Sequence, residues 1–151
     1  MSKAILVFLF CLLVALSICD KTGLTDIPSF LKIIPSTKRT EMEKIVLNVT
    51  LSQNQINEQL DEWGKTLGGP LANLYTSYKN AFFEAKKELK EKHDAVMANE
   101  TDEEFKKVDS EIQNIAENLD MPIGEVRQEI FNIINNQTDE IKQKLKNNSP
   151  Y

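Results

Sequence analysis

Apolar residues recur along this chain at three- and four-residue steps, and nowhere do they alternate with polar ones at the period of a strand. The longest such series is Leu71, Leu74, Tyr78, Phe82, Ala85, Leu89 and Val96, which predicts one long helix from Pro70 to about Ala98 with that stripe buried. Shorter helices are expected to lie against it. Ahead of it, Met42, Ile45, Val46 and Val49 predict a short helix over 37–48. Ser52 followed by Gln55 has the form of a capping box, in which each side chain satisfies a backbone donor at a helix start, and Ile56, Leu60, Trp63 and Leu67 give that helix one apolar stripe. Gly68 and Gly69 end it, because glycine takes the left-handed conformation of a helix terminus, and Pro70 suits the first turn of the next helix. So tight a break predicts an antiparallel hairpin that stacks Trp63 and Leu67 near Leu71 and Leu74.

Beyond the long helix, Thr101 with Glu104 repeats the capping-box pattern and opens a helix carrying Phe105, Val108, Ile112 and Ile115 inward to about Asn118. A loop from Asn118 to Gly124 follows, with Asp120 as a cap for a helix bearing Val126, Ile130, Phe131, Ile133 and Ile134. That helix breaks near Asn135 and Asn136, and Thr138 caps a last one with Ile141 and Leu145 inward. The fold class predicted is all-α: a single compact bundle of five to six helices built on a long central helix.

The first residues belong to a different category. A basic start at Lys3, an apolar run over 4–18 and small residues near Cys19 form the layout of a signal peptide cleaved ahead of Asp20. A membrane anchor would need a run of roughly 20 apolar residues, and a lipidated cysteine would want a smaller residue than Ile18 before it. The chain thus divides into a leader at 1–19, an extended lead-in at 20–36 whose Phe30, Leu31, Ile33 and Ile34 dock on the body, a helical domain at 37–146 and a polar tail at 147–151. Cleavage removes both cysteines, Cys11 and Cys19, so the mature chain has neither disulfide nor thiol and holds together by burial alone. It also removes Lys3, leaving 17 Lys and Arg against 23 Asp and Glu, a formal charge of −6. That balance disfavours nucleic acid and anionic membrane as partners. The expected location is extracellular, with no membrane span after cleavage. In a eukaryotic secretory pathway, Asn48, Asn99 and Asn136 head Asn-X-Thr sequons that accept N-glycans; Asn147 heads one spoiled by Pro150.

Catalytic chemistry finds little to work with. His93 is the sole histidine, between Glu91 and Asp94 on a charged helix face, and reads as a surface residue. Glycine-rich phosphate loops are absent, so no catalytic residue and no enzyme activity is assigned. The acids could hold a hard cation, since Ca²⁺ and Mg²⁺ take carboxylate and carbonyl oxygens. The nearest match to a helix-loop-helix calcium loop places Asn118 at position one, Asp120 at three and Glu129 at twelve. It departs from the pattern in two ways: Pro122 at position five offers no side-chain oxygen, and Gly124 falls one place late. The alternative ligand is a lipid or other apolar molecule admitted between helices bearing Tyr75, Tyr78, Phe82, Phe83 and Phe105, residues whose ordinary role is core.

Several of these features occur together in a known order: Leu60-Asp61-Glu62-Trp63, then Thr66-Leu67-Gly68-Gly69, a Lys/Glu-rich helix with Phe82 and Leu89, then Lys106-Lys107, Asp109, Glu111-Ile112 and Ile115-Ala116-Glu117, and a terminal Ile141 to Leu145 helix. In this the chain resembles the nematode SXP/RAL family of small secreted antigens, whose shared region is an Anisakis-allergen-like cation-binding domain. The resemblance spans about 45–146. It implies secretion by a parasitic worm, an all-helical fold akin to helix-loop-helix calcium proteins, binding of Mg²⁺ or Ca²⁺, action at the host interface and no enzymatic activity. The matching positions are structural: Trp63 and Leu67 as core, Gly68 and Gly69 as the break. It places no cation ligand on a residue of this chain.

Overall fold

Among the described residues of the computed structural model, six helices follow one another: α1 Ser36–Val46, α2 Gln53–Leu67, α3 Gly69–Ala98, α4 Glu103–Ala116, α5 Ile123–Asn135 and α6 Asp139–Asn148. The residues described are 32–148; the leader, the lead-in up to position 31 and positions 149–151 lie outside them. The all-α architecture is as the periodicity predicts. Local chemistry sets most of the boundaries. Ser52 and Gln55 form the full capping box at the start of α2, with Ser52 N–H donating to Gln55 Oε1 at 2.9 Å and Gln55 N–H to Ser52 Oγ at 3.2 Å. Gly68 and Gly69 have φ of 68° and 46°, the left-handed region that favours glycine, and Pro70 sits in the first turn of α3.

Two caps differ from expectation. At α4 the N-cap is Asp102, whose side chain accepts from Phe105 N–H at 3.1 Å, while Glu100 Oε1 takes the N–H groups of Thr101 and Asp102. A carboxylate one residue on outcompetes the Thr101 hydroxyl, being the stronger acceptor at a helix N-terminus. At α5 the cap position is Pro122, and Asp120 turns instead toward α2. Thr138 does cap α6, accepting from Ile141 N–H at 3.3 Å.

The apolar stripes converge on two centres. In the first, Ile34, Trp63 and Tyr75 are buried, with Met42, Ile45, Leu60, Leu67, Leu74 and Tyr78 packed around them. Trp63 holds it together: its ring meets Tyr75 edge-on at 5.4 Å and 86°, and its indole N–H donates to the Lys38 carbonyl of α1 at 3.0 Å. The lead-in thus docks through Ile34, while neighbouring Ile33 faces solvent. In the second, Phe105, Val108 and Ile141 are buried among Met97, Ile112, Ile133 and Leu145. Phe105 is wholly enclosed, worth about 2–3 kcal/mol of burial.

The long helix α3 serves the first centre with its start and the second with its end. Its middle is bare: Phe82 and Phe83 are exposed, as is Val96 farther along, so the predicted stripe is buried only in part. The reason lies in the partners, because α2 packs on α3 while α5 and α6 pack on α4.

A repeat relates the two helix-loop-helix pairs, α1–α2 and α4–α5. Leu47 N–H bonds Glu43 carbonyl as Glu117 bonds Gln113, Asn48 bonds Ile45 as Asn118 bonds Ile115, and Leu51 bonds Asn48 as Met121 bonds Asn118. Each match is offset by seventy positions. The two loops then pair with each other, through an antiparallel bridge between Ser52 and Pro122 and through Asn54 N–H to Leu119 carbonyl at 3.0 Å and its counterpart, Gly124 N–H to Val49 carbonyl at 2.8 Å. Gly124 is what permits this approach, since a Cβ there would stand 3.0 Å from the Val49 oxygen.

Candidate functional site

The paired loops hold two of the sequence's cation candidates, Asn118 and Asp120. Within its loop, Asn118 Oδ1 accepts from Asp120 N–H at 3.3 Å, just as Asn48 Oδ1 accepts from Thr50 N–H at 3.1 Å in the other. Asp120 is exposed, and its Oδ1 accepts from Asn54 Nδ2 at 2.7 Å, a bond that ties the second loop to the first turn of α2. Its Oδ2 receives no hydrogen bond from the described residues. Glu129 lies on the exposed side of α5, six residues past Ile123 and so about 9 Å of helix rise beyond the loop. Among the described residues, no group of three or more His, Cys, Asp or Glu side chains gathers to hold a metal.

What remains at the loop is one carboxylate with an open oxygen, flanked by an amide oxygen already holding the backbone. Such a set suits a hard cation that keeps most of its water, as Mg²⁺ does when bound through one or two carboxylates. It is too sparse to enclose Ca²⁺ with six to eight protein oxygens.

A second cluster was missed by reading the chain in one dimension. His93, expected on the surface, is buried at 6% exposure: Nε2 lies 3.0 Å from Asp109 Oδ1 on α4, and Nδ1 lies 3.6 Å from Asp94 Oδ1. The neighbours in sequence gave no hint, because its partner is sixteen residues away on another helix. A cavity of about 340 Å³ opens beside it, lined also by Lys90 and Glu117, themselves paired at 2.6 Å.

The third feature is an open groove of about 1170 Å³ across α1, α2 and α3, with Ile45, Trp63, Ala72 and Tyr75 along its floor. Asp61 bridges its wall, receiving both carboxylate bonds from Lys79 Nζ at 2.6 Å and the Tyr75 hydroxyl at 3.4 Å. Burial, reinforced by Asp61, pushes the Tyr75 phenol up from its ordinary range, so it stays a neutral donor. Phe82, Phe83 and Phe105 do not reach this groove.

Of the sequon asparagines, Asn48, Asn99 and Asn136 are all exposed. Asn99 Nδ2 donates back to Ala95 carbonyl at 2.8 Å, closing the end of α3, and Asn136 is the C-cap of α5. Among the described residues, no helix is long and apolar enough to cross a membrane.

Compared with known proteins, the chain matches no curated protein and no solved structure. A family model does match, over residues 2–150, and its description is SXP/RAL-2 family protein Ani s 5-like, metal-binding domain. The resemblance carried by the Trp63 stripe, the Gly68-Gly69 break and the later helices is therefore borne out across nearly the whole chain, which belongs to the SXP/RAL-2 family.

Proposed function

We propose that this chain is a secreted, non-enzymatic worm antigen that takes up Mg²⁺ or Ca²⁺ weakly at its paired loops and acts at the host interface. The observation that carries the reading is the match to a metal-binding family domain. The open Asp120 carboxylate, in a loop fastened by Asn54 and by the bonds to the other loop, supports it locally. Asn118 and Asp120 would hold the ion, with water completing its shell, and Glu129 would reach it only from the second sphere. Bound there, the cation would neutralise Asp120 and stiffen the loop. Calorimetry and amide chemical shifts during titration of Mg²⁺ and of Ca²⁺ test this. Expected are shifts confined to 118–121 and Asn54 at millimolar metal, lost in Asp120→Asn; the absence of localised shifts would refute the site.

The groove favours a second reading, a carrier of lipid or another apolar ligand, because Trp63 and Tyr75 give it an aromatic floor. Native mass spectrometry of the protein from its source decides this one, with a co-purifying lipid as the expected result and no displaceable fluorescent fatty acid as the contrary one.

A further inference from the structure

Leu47 and Val49 stand exposed at 60% and 47% on the first of the paired loops. Between them lies Asn48, first residue of Asn48-Val49-Thr50.

The three sequons use their side chains differently. Asn99 spends its Nδ2 on the Ala95 carbonyl, and Thr138 of the third sequon spends its hydroxyl on the first turn of α6. At Asn48 both Thr50 groups, the N–H at 3.1 Å and the hydroxyl at 2.8 Å, bond to Oδ1 of Asn48 itself. The sequon is thus closed on itself, caps no helix, and leaves Nδ2 without an acceptor among the described residues. A substituent on that nitrogen displaces no bond and no buried atom.

We propose that Asn48 carries an N-linked glycan, and that the glycan covers the exposed Leu47 and Val49 on either side of it. This rests on the secreted reading above. In the transfer, Asn48 Nδ2 forms a bond to C1 of the first sugar of a polyprenyl-diphosphate-linked oligosaccharide. The C1–O bond to phosphate breaks, the polyprenyl diphosphate leaves, and the displaced amide proton passes to a carboxylate base of the transferase. The sugar then projects from a loop anchored on both sides, by Gly124 N–H to the Val49 carbonyl and by the cap at Ser52. The apolar C–H faces of its pyranose rings would lie over these aliphatic side chains.

The test expresses the full chain with its own leader in a eukaryotic secretory line and maps the medium's protein by mass spectrometry after enzymatic deglycosylation in heavy-oxygen water. The expected result is a labelled Asn48 peptide, absent in Thr50→Ala, which keeps the Asn48 to backbone bond, and restored in Thr50→Ser. Enzymatically stripped protein is expected to bind an apolar dye severalfold better than the glycosylated form. Secreted protein with an unlabelled Asn48 peptide overturns the glycan, and unchanged dye binding on stripping overturns the covering role. Retention of the chain in the cell refutes the secreted reading instead.

Discussion

Gly64 of α2 lies directly under the ring of Tyr75 on α3, so close that a Cβ at position 64 would collide with the ring's Cδ1 and Cε1 atoms. The ring has nowhere to go, held edge-on by Trp63 at 5.4 Å and by its hydroxyl at Asp61. Gly64→Ala is therefore expected to destabilise the protein by about 1–3 kcal/mol through overpacking, against the gain that alanine normally brings to a helix interior. Urea unfolding followed by the fluorescence of Trp63, the sole tryptophan, reads the change. An unchanged midpoint would show that the hairpin slides apart freely.

The bond between His93 and Asp109 fixes the last third of α3 to α4. Removing one partner strands the other in the interior, so His93→Leu is expected to cost roughly 3 kcal/mol. Asp109→Leu alone is expected to cost a similar amount, and the double substitution His93→Leu with Asp109→Leu less than the sum of the two. Thermal unfolding of the four proteins measures this coupling; strict additivity would mean that the pair does not act as a unit.

Acid is expected to loosen the junction of α4 and α6. The Lys144 ammonium and the Phe105 amide hold the Asp102 carboxyl below its ordinary range, and the amides of Asp102 and Thr101 do the same for Glu100. A carboxyl depressed in the folded state contributes stability that is fully present above the unfolded value, near ~3.9 for Asp, and is lost as pH falls through the folded one. Between pH 6 and pH 3 the melting temperature should thus fall more steeply for the native chain than for Asp102→Asn. Parallel curves would remove Asp102 from the account.

Asn54 and Asp120, sixty-six residues apart, tie the two loops together. Asn54→Ala deletes this bond while leaving the backbone bonds around it, an expected loss of about 1 kcal/mol. Hydrogen exchange at the amides of Asn54 and Gly124 is expected to quicken in the variant, while the amides buried around Phe105 keep their protection. Uniform acceleration would instead point to global destabilisation.

The sequence by itself determined the helices, because their signals are local. A helix closes its bonds four residues back, so the stripes on 56–67 and 105–115, the Ser52 capping box and the Gly68-Gly69 break announce themselves within a turn or two. The family was legible for the same reason, its marks being ordered features of these helices. Caps were less so: Thr101 and Asp102 both suit an N-terminus, and it is the Asp102 carboxylate that serves, taking Lys144 of α6 as well. Tertiary structure alone decided what lies across the long gaps. It paired two loops seventy positions apart, turned Asp120 from a cap into a tether, buried His93 against Asp109, and left Phe82 and Phe83 bare between two cores. Periodicity fixes which face of a helix is apolar, but burial depends on which other helix arrives there, and that is a property of the whole chain.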